Sequence, residues 1–381
     1  MNTIQLPVIG ISTAALLAAS LVALLSTPVV RSLAVRVGAV DIPKDARRMH
    51  DHPIPRMGGL AIFFGFMLSV LIFLPLTPQL RGMLLGSVII VILGIVDDIF
   101  ALPAIPKFLI QIAAALIAVL EGNRILILSN PNIFSSEPFW ELGWLSVPIS
   151  VLWIVGITNA VNLIDGLDGL ACGVSTISSM TLLVIALIVS EPDVAIITAA
   201  LAGGCIGFIP YNLNPAKIFM GDTGSTFLGF VLAVVSIQGL FKFYAIISFA
   251  VPFLMLGLPI FDTCFAIIRR VSKGQSPMKP DRGHIHHRLI DMGFSQKQAV
   301  AMLYVISAIL GLSAVVLTTI GVVKAMLFLL ALFAAGGMAA KLYLNHDNNK
   351  KYSGAQPHTT PKKRQSTSSE NSDHEEDHTD L

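Results

Sequence analysis

Residues 82–100 read GMLLGSVIIVILGIVDDIF. From Gly82 to Val96 there is no charged side chain, and the run then closes on two adjacent carboxylates, Asp97 and Asp98. One apolar run of this kind could be a core helix of a soluble protein. Its recurrence decides otherwise. The 381-residue chain is 54% hydrophobic and 13% charged, against roughly 25% charged in a soluble domain. Apolar stretches long enough to cross a bilayer return along its length. Eleven candidate spans fall at about 6–30, 58–76, 82–97, 108–121, 144–163, 171–190, 194–211, 225–241, 243–268, 299–321 and 324–344. The expected fold class is an all-α polytopic integral membrane protein with about 11 transmembrane helices. Residues 123–142 read as a short strand pair or loop outside the membrane.

The loops orient these spans. Loops after odd-numbered spans, with the C-terminal end, hold 21 of the 25 Lys and Arg residues; the other loops hold Arg81, Arg124, Lys242 and Lys324. By the positive-inside rule the N-terminus faces outward and the C-terminus is cytoplasmic. The start, MNTIQ, lacks the basic residues of a signal peptide, so the first span is expected to stay uncleaved. Residues 1–344 form the expected transmembrane domain. From residue 345 the chain is rich in Ser, Thr, Lys, His and acids, a composition expected to be disordered. Cys172, Cys205 and Cys264 lie in or beside apolar segments with neither disulfide nor zinc spacing, and read as small core residues.

On this topology the unusual polar groups gather on the cytoplasmic side. Acids at membrane depth are expensive and usually functional. Asp97 and Asp98 end a span, about 100° apart on a helix, so they cannot serve one point unless the helix opens. Lys107 and Gln111 begin the next span, where they could hold an anion at a helix start. Residues 159–173, NAVNLIDGLDGLACG, place Asn159, Asn162, Asp165 and Asp168 three apart. Gly166 and Gly169 should end the helix there and gather the side chains round one pocket. A simple Asx turn would need one Asp and a Gly, not four polar groups. Residues 210–230, PYNLNPAKIFMGDTGSTFLGF, contribute Asn212, Lys217 and Asp222. Asp222 or Thr223 could serve only as an N-cap; Gly221 and Gly224 also leave room for a phosphate.

The cations face the same side. Arg56 lies in DIPKDARRMHDHPIPRMGG, where lipid phosphate could equally be the partner. Arg282, His284, His286, His287 and Arg288 crowd the most basic loop. Three histidines could bind a transition metal, but no Cys, Asp or Glu completes a clear ligand set there. A pocket for diphosphate and sugar hydroxyls fits better. Carboxylates alone repel phosphates, whereas carboxylates with Mg²⁺ bind them. Lys, Arg and His would neutralise the remaining charge. The combination points to Mg²⁺-dependent phosphoryl transfer at a membrane surface, with a lipid as one substrate.

The motifs RMGGLAIF, VDDIF with Lys107, NAVNLIDGLDGLA, PYNLNPAKIFMGDTGS and RGHIHHRL occur in this order over most of residues 35–295. In them the chain resembles the polyprenyl-phosphate N-acetylhexosamine-1-phosphate transferases. The HIHH loop and the eleven spans resemble the GlcNAc-1-phosphate branch, as against the muramoyl-pentapeptide branch with its ten spans. The resemblance implies transfer of GlcNAc-1-phosphate from UDP-GlcNAc to undecaprenyl phosphate, releasing UMP, at the start of a surface glycan such as wall teichoic acid. It implies a Mg²⁺ ligand at Asp222, within reach of Asn212 and shared with Asp97, and a catalytic pair at Asp97 and Asp98. It implies a phosphate-facing Lys107 and a nucleotide and diphosphate pocket at Asn162, Asp165 and Asp168. Arg282, His284, His286 and His287 then form the sugar-phosphate loop. The enzyme is expected in the plasma membrane with no nucleic-acid partner; the oligomeric state stays open, a homodimer being one expectation. Pentapeptide-transferase activity is the alternative within the family. A secondary transporter is the alternative outside it, although transporter sites lie near the bilayer midplane and these acids cluster at loop ends. A scaffold without catalysis would not keep all the acids.

Overall fold

The computed structural model describes residues 5–43, 52–129, 139–239, 247–275, 283–320 and 330. The chain divides into two units, Met1–Leu329 and Leu330–Leu381. Of the second, only Leu330 is among the described residues. The expected eleventh span, apart from Leu330, and the tail from residue 345 lie outside them.

The helices are α1 (Gln5–Arg36), α2 (Gly59–Phe73), α3 (Pro78–Phe100), α4 (Ala104–Leu120), α5 (Ser146–Ile164) and α6 (Leu170–Ile188). They continue with α7 (Pro192–Asn212), α8 (Gly221–Gly239), α9 (Ile247–Met255), α10 (Gly257–Ser272), α11 (Ile285–Asp291) and α12 (Gln296–Ile320). Among the described residues, strands form two short antiparallel pairs. Strand β1 (Val40–Asp41) pairs with β2 (Ile54–Pro55), and β3 (Ile127–Ser129) with β4 (Phe139–Glu141), the pair expected between the fourth and fifth spans. Among the described residues, six helices, α1, α3, α5, α6, α7 and α12, are long and apolar enough to cross a membrane. Helices α2 and α4 are equally apolar but shorter. The protein is an all-α polytopic membrane protein.

Sequence chemistry explains the breaks. Helix α3 starts at Pro78, after Thr77 whose hydroxyl accepts from the Leu80 amide at 3.3 Å. Proline suits this first position because its missing N–H would have no helical partner. Helix α5 stops at Ile164, where the glycines predicted a break, and Gly169 precedes α6 at φ +78°. The expected single span over 243–268 is instead two helices, α9 and α10, parted at Leu256. Pro259 cannot donate back to the previous turn, so the ladder fails at this junction.

Helix α8 is the axis. It is buried along almost its whole length, with α3 and α5 against its sides. A helix that is apolar all round belongs inside a bundle. Helix α1 runs along α7 and α2, turning Ala15, Ala19 and Ala23 inward and Leu17, Leu21 and Leu25 outward. Between lipid and protein there is little hydrophobic drive, so association relies on close backbone packing at small residues. Gly203 and Gly207 of α7 supply it: a Cβ at either would collide with α1 backbone, at Leu16 or Ser20.

Candidate active site

The site forms where α3 ends and α8 begins. Asp98, in the last turn of α3, turns its carboxylate onto the first turn of α8. Its Oδ1 accepts from the Asp222 amide at 3.0 Å, and its Oδ2 from the Thr223 amide at 3.1 Å and hydroxyl at 2.7 Å. A helix start leaves amides without helical partners. Here a neighbouring helix caps them, so neither Asp222 nor Thr223 caps its own helix; both lie inside its first turn. Gly221 makes the approach possible. Its φ is +71°, and a side chain there would run into the Asp98 carboxylate.

Asp97 points elsewhere, as its place one residue earlier on an unbroken helix requires. Its Oδ1 accepts from the Leu102 amide and its Oδ2 from Lys107 Nζ, each at 2.7 Å. Lys107 Nζ also reaches Asp222 Oδ2 at 3.3 Å. From the other flank Arg56 brings Nε to 3.4 Å from Asp98 Oδ1 and a terminal nitrogen to 4.0 Å from Asp222 Oδ1. Backbone bonds hold Arg56 there: Phe219 N–H donates to Pro55 O, and Gly58 and Gly59 donate to Phe219 O and Met220 O. Asn162 Nδ2 donates to Asp222 Oδ1 at 3.1 Å and to Ser225 Oγ at 2.8 Å. Asp222 is therefore a hub with two cations and an amide around it, and its side chain keeps 22% exposure where that of Asp98 keeps none.

Asp222 opens onto a cavity of about 260 Å³ whose wall includes Arg56, Asn162, Asp165, Asp168 and Asn212. Asp165, just past the end of α5, has its carboxyl pushed up to about 8, first by burial and then by the charge of Asp222. Asp168 is tied down: its Oδ2 accepts from Asn214 Nδ2 at 2.9 Å and from the Ala216 amide at 3.0 Å. Asn212 donates to Ile218 O at 3.1 Å, while its buried Oδ1 has no partner.

These groups suit a hard divalent cation. Asp222 and the orphaned Asn212 Oδ1 are oxygen donors on one cavity wall, the donor type Mg²⁺ takes. Among the described residues no group of three His, Cys, Asp or Glu forms a ready-made metal cage.

The histidine segment arrives beside the cavity on α11. His284 and His286 are buried, with their rings 5.8 Å apart and nearly parallel, and the His287 ring lies 4.2 Å from that of His286. His286 abuts Gly166 of the cavity wall, where any side chain would strike its ring. Burial, then the neighbouring His287, lowers the His286 imidazole to about 4, so it is neutral at physiological pH. Arg282 lies outside the described residues.

Three expected site residues stand apart from the cluster. Lys217 is exposed, its ammonium 5.9 Å from the Tyr211 ring and not on the cavity wall. Arg288 is exposed on α11. Asn159 donates to Gln111 Oε1 at 2.6 Å, and neither residue is on the cavity wall. Conversely, Asp41 and Gln296 line the cavity, and Asp262 pairs with His284, without having been singled out in the sequence. Asp262 carried a signal: it is the one charged residue in the apolar stretch 247–268, and such a residue is a functional candidate by default. Asp41 and Gln296 carried none, since both sit in ordinary polar flanks.

Comparison with known proteins agrees with this geometry. Residues 80–240 match the family model described as glycosyl transferase family 4. The chain is 45% identical over 316 residues to a probable undecaprenyl-phosphate N-acetylglucosaminyl 1-phosphate transferase of Bacillus subtilis, covering 82% of this chain and 87% of that protein. It is 34% identical over 323 residues to the decaprenyl-phosphate N-acetylglucosaminephosphotransferase of Mycolicibacterium smegmatis, covering 76% and 77%. It is 30% identical over 323 residues to the undecaprenyl-phosphate alpha-N-acetylglucosaminyl 1-phosphate transferase of Escherichia coli K12, covering 80% and 85%. With the acid cluster, the histidine helix and these relatives in agreement, the chain belongs to glycosyl transferase family 4, in its branch of polyprenyl-phosphate GlcNAc-1-phosphate transferases.

Proposed function

We propose that the protein transfers GlcNAc-1-phosphate from UDP-GlcNAc to undecaprenyl phosphate, giving undecaprenyl-diphosphate-GlcNAc and UMP. The names of the relatives supply the sugar and the lipid. The observation that carries the chemistry is the hub at Asp222, with Lys107 and Arg56 on its flanks, on the wall of a polar cavity. Among the described residues, three carboxylates, Asp97, Asp98 and Asp222, meet two cations there, Lys107 and Arg56. Such a surplus of negative charge invites a divalent cation and, with it, phosphates.

In this reading an oxygen of the lipid phosphate attacks the sugar-proximal phosphorus. The bond from that phosphorus to the bridging oxygen breaks, and UMP leaves with the electron pair. A phosphate monoester has its second pKa at about 6, so the nucleophile is mostly dianionic and Asp97 need only take a residual proton. Lys107 and Arg56 offset the charge that gathers as two anions meet. Asp98, with both oxygens engaged by α8, holds Asp222 in place and does not touch the reactants. We assign Mg²⁺ to Asp222, with Asp97 and Asn212 as the neighbouring oxygen donors; it would neutralise the diphosphate. Asp165 and Asp168 belong to the nucleotide side of the cavity, and the histidine helix to the sugar-phosphate side.

The finer topology is part of the same reading: eleven spans, N-terminus outside, the acid-bearing end and the C-terminus in the cytoplasm of a plasma-membrane protein. So is a place at the start of surface glycan synthesis, with wall teichoic acid as the favoured product. A homodimer would double the mass of the detergent-solubilised particle. The decisive experiment is a radiolabel transfer assay. Purified protein receives undecaprenyl phosphate, Mg²⁺ with or without EDTA, and either UDP-GlcNAc or UDP-MurNAc-pentapeptide. Labelled lipid is expected from UDP-GlcNAc and only with Mg²⁺; label from the pentapeptide donor alone refutes the branch assignment.

A further inference from the structure

Asp262 has no part in the reaction described so far. It lies on α10, 22 residues before His284, yet the two side chains meet in the interior: Asp262 Oδ2 is 2.8 Å from His284 Nδ1. Its Oδ1 accepts from the Ile285 amide, also at 2.8 Å. Both side chains are almost wholly buried, at 4% and 6% exposure. Two turns further along α10, Arg269 donates to Gly283 O at 2.9 Å. Helix α10 thus receives the chain as it enters α11 and grips it at three consecutive residues, Gly283, His284 and Ile285.

A carboxylate buried in an apolar helix needs a reason to be there, because an aliphatic side chain would pack without the desolvation penalty. Capping α11 does not supply one. A backbone amide at a helix start can be met by Ser, Thr or water. The ring contact is more specific. An imidazole that gives Nδ1–H to a carboxylate has its tautomer and rotation fixed and presents Nε2 outward. His284 stacks on His286, and His286 abuts Gly166 of the cavity wall. The orientation set at Asp262 therefore propagates through two rings to the cavity.

We propose that Asp262 is a positioning residue for the transferase. Through His284 it sets the orientation and tautomer of the histidine segment that receives the sugar-phosphate half of the donor. The proposal rests on the reaction given above and adds to it a residue that no part of that reading uses.

The test is a double-mutant cycle on full-length protein, with Asp262→Asn, His284→Ala and the double variant. Asparagine keeps the shape and the bond from Ile285 but faces Nδ1 with an N–H, forcing the other tautomer. Such outer partners of functional histidines change affinity or activity by about 10- to 100-fold. Asp262→Asn should raise the KM for UDP-GlcNAc about tenfold and leave the KM for undecaprenyl phosphate unchanged. In the His284→Ala background it should add less than about twofold, because effects that act through one partner do not add. An unchanged donor KM, or a full tenfold further loss on top of His284→Ala, overturns the proposal. If Asp262→Asn does not accumulate folded, Asp262→Glu, which keeps the charge but displaces it, is read in the same cycle. Failure of the underlying reaction looks different: wild-type protein makes no labelled lipid. In that event ¹⁵N chemical shifts of labelled histidine still report whether Asp262 fixes the His284 tautomer, and no change of those shifts in Asp262→Asn sinks the idea independently.

Discussion

Helix α3 carries charge at both ends, and the two ends behave differently. At its start Arg81 pairs with Glu121 of the neighbouring segment, with 51% and 27% of the side chains exposed. Near it Asn123 joins Gln79 O at 2.9 Å and Gln238 at 2.6 Å. Sixteen residues on, about 24 Å along the axis, Asp97 and Asp98 enter a cluster in which acids outnumber bases. The first end is a neutral pairing open to water, of a kind worth about 0–1 kcal/mol. The second is buried, unbalanced and held by backbone amides. Charge at a membrane boundary is thus no sign of function by itself. Burial together with an unmatched sign is the informative combination.

The largest expected effect comes from removing the hub. Asp222→Ala should lower Mg²⁺-dependent turnover by about 10³-fold, the scale for losing one preorganised electrostatic group. Full turnover in that variant, measured by label transfer to lipid, would remove the metal assignment. Lys107→Gln comes next, at about 10²-fold, since the ammonium holds Asp97 and Asp222 together. Its counterpart at the other end is Arg81→Gln. That variant should keep turnover within about twofold and shift the thermal midpoint in detergent by a few degrees at most, as for a surface pair. Comparable losses of activity from Lys107→Gln and Arg81→Gln would erase the contrast between the two ends.

A subtler difference is in pH dependence without divalent cation. Folded Asp165 keeps its proton up to about 8, whereas the same carboxyl in the unfolded chain releases it near 3.8. Between those values the folded state binds the extra proton, so stability falls as pH rises through the window. Asp165→Asn removes that proton and should flatten the slope. Thermal midpoints from pH 5 to 8 in EDTA decide it, and coincident slopes for wild type and variant count against the reading of the cavity.

Much of this was legible early. Hydropathy located the six described helices long enough to cross, because a bilayer imposes length and apolarity on each one separately. Asp97, Asp222 and Asn162 stood out because polar groups in greasy surroundings are costly. The break of the ninth span at Leu256 was harder to see, since Pro252, Gly257 and Pro259 all sit in a run that stays apolar throughout. Lys217 was no easier to place. It is near Asp222 in sequence, but the turn between α7 and α8 carries it over Tyr211 instead.

The chain's own chemistry determined the class of fold, the segments that carry acids and the kind of reaction those acids suit. Each of those follows from local composition, which is written in linear order. The division of labour between the acids was decided only by packing. Asp97 and Asp98 are adjacent and chemically identical, yet one meets a lysine and the other caps a helix that begins more than 120 residues later. Which of two such neighbours faces which partner depends on helix rotation and on how closely glycine lets backbones approach. So does the meeting of Asp262 with His284. These are properties of the assembled bundle, because the contacting groups come from segments far apart along the chain.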